Sequence, residues 1–491
     1  MQPLLSIVVL VYNTAEYLPA CFDSLLGQNY RNVEIIAIDD SSTDDSLAIC
    51  RHYEQRHANF RCLTQTNGGG AVVGNLGISL ARGDYVALVD SDDVVTEEGY
   101  SLLIAEALAS SADIVIGRAT RLIDDQHSAA GFLYEPLVWS QHRRISSVDE
   151  FPELLHDGFY WNKIFRLAFL REYGLGMVPG LLYADREFVH KAYFYSRRTS
   201  IITALVYKWR TRPVGAGASI TQSTTQVSNF LDRIRSVEIE WHDFDGIPAA
   251  ETYRRLIAVT NLQRALQVIN AIIRSPEFRR VFITAIQRLL SLFGDLDYRA
   301  LGVRRVLYLE LIKRDEVAGL CYLLALPFHG HVLAIDGHGY WQQPFLDNPE
   351  LGLSPETSRI DFPTIGFFRV GGWSLNSSQL TLELEIHDTI MAHCEVEFAM
   401  QSLDGSAEIT FQSRGLKGPG MYIFSVQLNS ARSGSLYGLV LRYRSSVGNG
   451  QYRLGGQLLT DSGAAVLPLN ADNGYQLLYS APMGGVSLRT P

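Results

Sequence analysis

The stretch ALVDSDDVV (87–95) crowds Asp90, Asp92 and Asp93 into four positions behind an apolar run. Like charges this close repel, and raise one another's pKa, unless something positive sits among them. A divalent cation, a nearby arginine or water would each relieve them. Asp90 and Asp92, on either side of Ser91, are hard oxygen donors suited to Mn²⁺ or Mg²⁺. The alternative is an acidic turn capping the helix signalled from Glu97. Other groups with chemistry stand at intervals along the chain: Tyr12–Asn13, Asp39–Asp40, Asn67–Gly68–Gly69, Lys163 in WNKIFR, Asp185 in LYADREF, and Arg210 and Arg212 in KWRTR. Glycines at 68 and 69 let backbone approach a ligand closely. Two arginines two apart on an extended strand face one side and can clamp an anion.

The elements that position these groups alternate. Ser6–Val11, Val33–Ile38, Phe60–Leu63, Tyr85–Val89 and Asp113–Gly117 read as short apolar strands. Between them, Leu18, Phe22, Leu25 and Leu26 recur at helical spacing, and Ala71–Ala81 and Glu97–Ala109 continue the pattern. Fully apolar strands alternating with helices predict a mostly parallel sheet covered on both faces. In such sheets ligands bind beyond the carboxyl ends of the strands. The polar groups fall at those ends: Tyr12 after the first, Asp40 after the second, Asn67 after the third and Asp90–Asp92 after the fourth.

Three regions follow from the change of pattern. Residues 1–222 form the α/β part, 223–326 are dominated by helical periodicity, and 327–491 carry short alternating strands such as QLTLELEI (379–386), which predict a β-sandwich. At 491 residues, two or three domains are expected. A net charge of -10 without a basic block argues against nucleic acid as partner. Five scattered cysteines without a CxxC suit reduced thiols rather than a disulfide framework or a zinc site. The N-terminus lacks a basic n-region, and no run of about 18 apolar residues occurs, so neither a signal peptide nor a membrane span is expected.

With SIVVLVYNTAEYLPACFDSLLGQNY, VEIIAIDDSSTDDS, NGGGAVVGNLGISLARGDYVALVDSDD, WNKIFR, LYADREF and KWRTR in this order, the first 220 or so residues resemble the family 2 inverting glycosyltransferases of GT-A fold. The helical stretch and β region after them resemble the wall teichoic acid glycosyltransferases, in which immunoglobulin-like C-terminal domains serve assembly. The resemblance implies transfer of a sugar, with inversion, from a UDP-sugar (UDP-N-acetylglucosamine first) to a hydroxyl of a cell-envelope polymer. Wall teichoic acid comes first as acceptor, with capsule, O-antigen or exopolysaccharide second.

It further implies that Asp92 ligates Mn²⁺ or Mg²⁺ and that Asp90 meets the metal, its water or the ribose. Tyr12 stacks on the base, Asp40 accepts from the uracil imide, and Asn67, Gly68 and Ser91 line the nucleotide. Arg210 and Arg212 reach phosphate, Lys163 a phosphate or the acceptor, and Asp185 is the general base. Work at the cytoplasmic face, peripheral to the membrane with lipid-linked acceptors, is expected, as is a homo-oligomer formed through the β region. Two departures stand out: Ala184 where the family has a second acid, and Gly74 where it often has arginine. They feed a rival reading, a catalytically inactive glycan-binding or assembly module.

Overall fold

The computed structural model describes residues 2–123, 126–128, 138–211 and 224–325 and, between 331 and 490, strand segments with the short stretches beside them. Two compact units divide the chain: Met1–Val268 with Ser291–Leu296, and Ile269–Leu290 with Asp297–Pro491.

The first unit begins with β1 (Leu5–Val11), α1 (Leu18–Leu26), β2 (Val33–Asp39), α2 (Ser46–Arg56), β3 (Phe60–Thr64), α3 (Gly70–Leu80), β4 (Tyr85–Asp90), β5 (Val94–Val95) and α4 (Gly99–Ser110). β6 (Ile114–Ile123), β7 (Gln126–Ser128), β8 (Arg143–Ile145), β9 (Lys163–Arg166), α5 (Leu167–Glu172), α6 (Ala184–Tyr195) and β10 (Thr199–Arg210) follow. Two further helices, α7 (Val227–His242) and α8 (Glu251–Ala265), complete it. Every residue of β2 is buried, and all of β1 but Leu10, because helices cover both faces of the sheet. The sheet runs β3-β2-β1-β4-β9-β6-β10-β5. β1 lies parallel to β2 and β4, and β2 parallel to β3. β9 runs antiparallel to both β4 and β6. It is absent from the sequence reading because four residues, KIFR, show no period.

The register decides where the site lies. Leu10 pairs with Asp90, Val11 with Asp39, and Asp39 with Thr64. The carboxyl ends of β1–β4 therefore share one row across the sheet, and the polar residues just beyond them emerge on one edge. The first unit extends to Val268, past the residue-222 change in sequence pattern, and takes in α7 and α8. Tyr183 donates to Asn229 Oδ1 at 2.6 Å, and Ser236 to the Tyr183 carbonyl at 2.8 Å, fixing α7 on the start of α6. Pro248–Arg274 is long and apolar enough to cross a membrane by length and composition alone, although no such run was expected; 56% of its apolar window is buried in protein. Tyr253, Ile257, Ala258, Leu262 and Ala265 all face the interior.

The second unit carries helices Val303–Lys313 and Val317–Ala325, then antiparallel sheets of three, four and seven strands. In Gln379–Ile386 the alternation is structural: Leu380 and Leu382 are fully buried in the four-stranded sheet. The fold is thus an α/β GT-A-like sheet followed by helices and all-β sheets.

Candidate active site

At the end of β4, three acids have different surroundings. Asp93 is fully buried. Its Oδ2 accepts from the Tyr207 hydroxyl at 2.8 Å and its Oδ1 from the Arg210 amide at 2.6 Å. Burial, then the charges of Asp92 and Asp90, push its pKa well above the carboxylate range. Asp90 and Asp92 are partly exposed. Asp90 Oδ1 accepts from the Tyr160 hydroxyl at 2.5 Å. Arg210, the last residue of β10, donates Nε to the Asp92 carbonyl at 2.7 Å and lies over the Tyr17 ring. Arginine therefore meets the acidic turn through backbone and near field. Arg212 lies outside the described residues.

Ser91, expected to line the nucleotide, is 3% exposed, with its hydroxyl 2.8 Å from that of Thr14. It ties the β4 turn to the β1–α1 loop instead. That loop is also sewn to the one after β2: the Thr43 amide donates to Asn13 Oδ1 (2.7 Å), the Thr14 amide to Ser46 Oγ (3.0 Å) and the Ala15 amide to Asp44 Oδ2 (3.0 Å). Asn13 and Ser41 hold positive φ, 51° and 60°, in these turns. Tyr12 projects half-exposed beside them.

Asp40 is 2% exposed and holds the glycine loop. Its Oδ1 accepts from the Gly68 amide (2.9 Å) and Gln65 Nε2 (2.8 Å), and its Oδ2 from the Gly69 amide (2.8 Å). Asn67 donates to the Asp40 carbonyl at 3.1 Å. Gly69 adopts φ +81°, a region that favours glycine. At Gly74, an added Cβ would stand 2.1 Å from Met177 Cε, the flexible end of a side chain that would have to swing aside. Asn75 pins that residue from both sides, donating to the Met177 carbonyl at 2.7 Å and accepting from its amide at 2.8 Å.

Lys163 is corrected. It was expected at a phosphate or the acceptor; it is fully buried, with Nζ 2.6 Å from Asp157 Oδ1, also buried. Asp157 Oδ2 accepts from Trp139 Nε1 and Asn162 Nδ2, each at 2.9 Å. This charged knot fastens the turn before β9. Since β9 is antiparallel to β4, that turn arrives beside Asp90, and it presents Phe159, Tyr160 and Trp161 there. Phe159 stacks on Trp161 and Trp161 on Tyr207, each at 4.7 Å.

Asp185 sits in the first turn of α6, partly exposed. Desolvation raises its pKa, opposed by Arg264, Arg186 and the helix-start amides of Arg186 and Asp185. Arg264 is itself pushed down to about 9 by burial and by Arg186 and Arg233. Asp185 is also one of the charges that, with burial and Asp90, raise the Tyr160 phenol. Tyr160 thus touches Asp90 and lies within the field of Asp185. Ala184 is buried at the start of α6.

A divalent cation can be tested against this donor set. Asp90 and Asp92 offer hard oxygens, and the upward push on Asp93 marks negative charge that only partners reduce. No cluster of three or more acidic, histidine or cysteine side chains able to hold a metal occurs among the described residues. The set fits an open site in which other ligands come from a bound anion.

Residues 6–174 match the pattern of Glycosyl transferase family 2. Glycosyltransferase GlyG of Streptococcus pneumoniae is 45% identical over 118 residues, 24% of this chain and 39% of that protein. Poly(ribitol-phosphate) beta-glucosyltransferase of Bacillus spizizenii is 35% identical over 118 residues, 23% of this chain and 19% of that protein. This chain therefore covers well under half the length of either relative. The crystal structure of S. aureus TarS is similar at a TM-score of 0.60 and 16% identity, over 99% of this chain and 85% of TarS. TarS 1–349 in complex with UDP-GlcNAc is similar at 0.55 and 19%, over 69% of this chain and 96% of that one. At such identities the likeness is one of fold. Residues 6–174 thus carry a glycosyl transferase family 2 domain pattern on the sheet described above.

Proposed function

We propose that this chain transfers a sugar, N-acetylglucosamine first, with inversion from a UDP-sugar to a hydroxyl of a cell-envelope polymer. The observation that carries the reading is the shared row of strand ends, which gathers Tyr12, Asp40, Asp90 and Asp92 on one edge, with Asp185 in electrostatic reach through Tyr160. Tyr12 and the Asp40–glycine loop take the uridine. Asp185 accepts the proton of the acceptor hydroxyl as its oxygen bonds to the anomeric carbon. The anomeric bond to phosphate breaks on the opposite face, and UDP leaves with the electron pair. A Mn²⁺ or Mg²⁺ ion held by Asp92, with Asp90, supplies charge stabilisation to the leaving diphosphate. The similarity to a ribitol-phosphate glucosyltransferase supports a wall teichoic acid acceptor, and the fold shared with TarS bound to UDP-GlcNAc supports the donor. The enzyme works at the cytoplasmic face, where lipid-linked acceptors are built.

Calorimetry of UDP-N-acetylglucosamine, with Mn²⁺ or with chelator, on wild type and Asp92→Ala tests this. Cation-dependent binding lost in the variant is expected. Binding of UDP but not the sugar nucleotide would reject this donor, and binding of neither would reject the transferase reading. Phosphopolyol polymers set against neutral glycans then separate the acceptor classes.

A further inference from the structure

The aromatic run FYWNK, residues 159–163, is not used by the roles above, yet the fold delivers it to the acidic turn. β9 pairs antiparallel with β4, Val86 opposite Phe165 and Tyr85 opposite Arg166. Followed backward, the residues before Lys163 run beside the carboxyl end of β4. Three separate restraints fix them there. Lys163, Asp157, Asn162 and Trp139 form the buried polar knot. Asn162 bonds the Gly117 backbone in both directions, 2.9 Å each way. Trp161 is held between Phe159 and Tyr207. Such expense around a turn is explained by what the turn must hold still, and the side chain that reaches the acids is Tyr160.

We propose that Tyr160 is a positioning residue for the cation site, fixing the Asp90 carboxylate through its 2.5 Å hydrogen bond. This rests on the cation reading above. A carboxylate at the end of a strand has two soft torsions, and a donor on one oxygen sets the direction of the whole group. Outer partners of this kind orient metal-binding carboxylates and tune affinity. A phenol suits the place better than a lysine or arginine. It donates without adding a charge that would compete with the cation. Tyr207 performs the matching task for the buried Asp93, so two phenols from two elements brace one acidic turn.

The test compares wild type, Tyr160→Phe and Tyr160→Gln in the full chain. Mn²⁺ uptake in the presence of UDP is read from the electron paramagnetic resonance of the free ion, and UDP binding in chelator by calorimetry. Tyr160→Phe is expected to weaken Mn²⁺ binding by roughly tenfold or more. UDP binding and melting temperature in chelator are expected to stay those of wild type. Tyr160→Gln, which keeps a shorter donor, recovers part of the loss. Equal Mn²⁺ affinity in wild type and Tyr160→Phe would overturn the proposal. So would a loss of UDP binding in chelator, which marks Tyr160 as packing alone. A wild type that takes up no Mn²⁺ with UDP would instead remove the cation reading itself.

Discussion

Asp185 illustrates how opposing fields set a base. Burial lifts its pKa, while Arg264, Arg186 and the α6 amides pull it down. The base works deprotonated, so activity is lost as pH falls through its folded pKa. The net upward shift puts that acid limb above the ordinary aspartate value of about 3.9. Removing a cation that favours the charged form must raise it further. Arg264→Met is therefore expected to move the acid limb of kcat/KM to higher pH, and Asp185→Asn to cost roughly 10²–10⁴ in rate at pH values well above that limb. A pH profile in which Arg264→Met leaves the limb in place would detach Arg264 from the base. Asp90 and Asp92 were legible in sequence because they follow an apolar strand, whereas Asp185 was legible only through the family resemblance. Lys163 was not, since a charge inside an aromatic motif looks the same whether it meets a ligand or a buried aspartate. Tyr160 was hidden for a related reason: between Phe159 and Trp161 it reads as one more core ring.

At the scale of elements, the short β9 and its knot have to be rigid for the edge of β4 to be complete. Lys163 and Asp157 are both fully buried, so losing one leaves the other's charge without a partner. Lys163→Met is expected to destabilise the fold by about 3–5 kcal/mol, and the added Asp157→Asn to restore part of it. Urea unfolding of the single and double variants checks this, and additive losses would show that the two charges do not depend on each other. The parallel strands β1–β4 were readable because buried strands of five to seven residues are nearly all apolar. β9 was not, because its place is set by partners on both sides rather than by its own four residues. The helices α7 and α8 were readable as helices but not as parts of the first unit; their attachment runs through single side chains such as Tyr183 and Asn229.

For the whole molecule, the antiparallel sheets of the second unit are a region for which sequence suggested no chemistry. We propose that they drive self-association. Light scattering on the full chain is expected to give a mass above that of one chain, and a single-chain mass at all concentrations would sink the idea. The alternation in Gln379–Ile386 announced a half-buried strand directly, since Leu380 and Leu382 fall on the covered face. How many sheets such strands make is not written in any one of them, because pairing depends on segments tens of residues away. Asp90 and its phenol partner are likewise separated by 70 residues of chain.

That separation has a consequence for how the protein is made. The edge of β4 next to β1 is paired early, but its other edge waits for β9, and β9 in turn lies between β4 and β6. On a ribosome, a chain that has emerged only through α4 holds four paired strands with one raw flank and an acidic turn lacking its phenol. Such a flank is a template for pairing with another nascent chain. Translation to about residue 166 covers that flank and brings Tyr160 to Asp90, but the acidic turn is finished only when β10 adds Tyr207 and Arg210, so a half-built protein has no finished centre to act with.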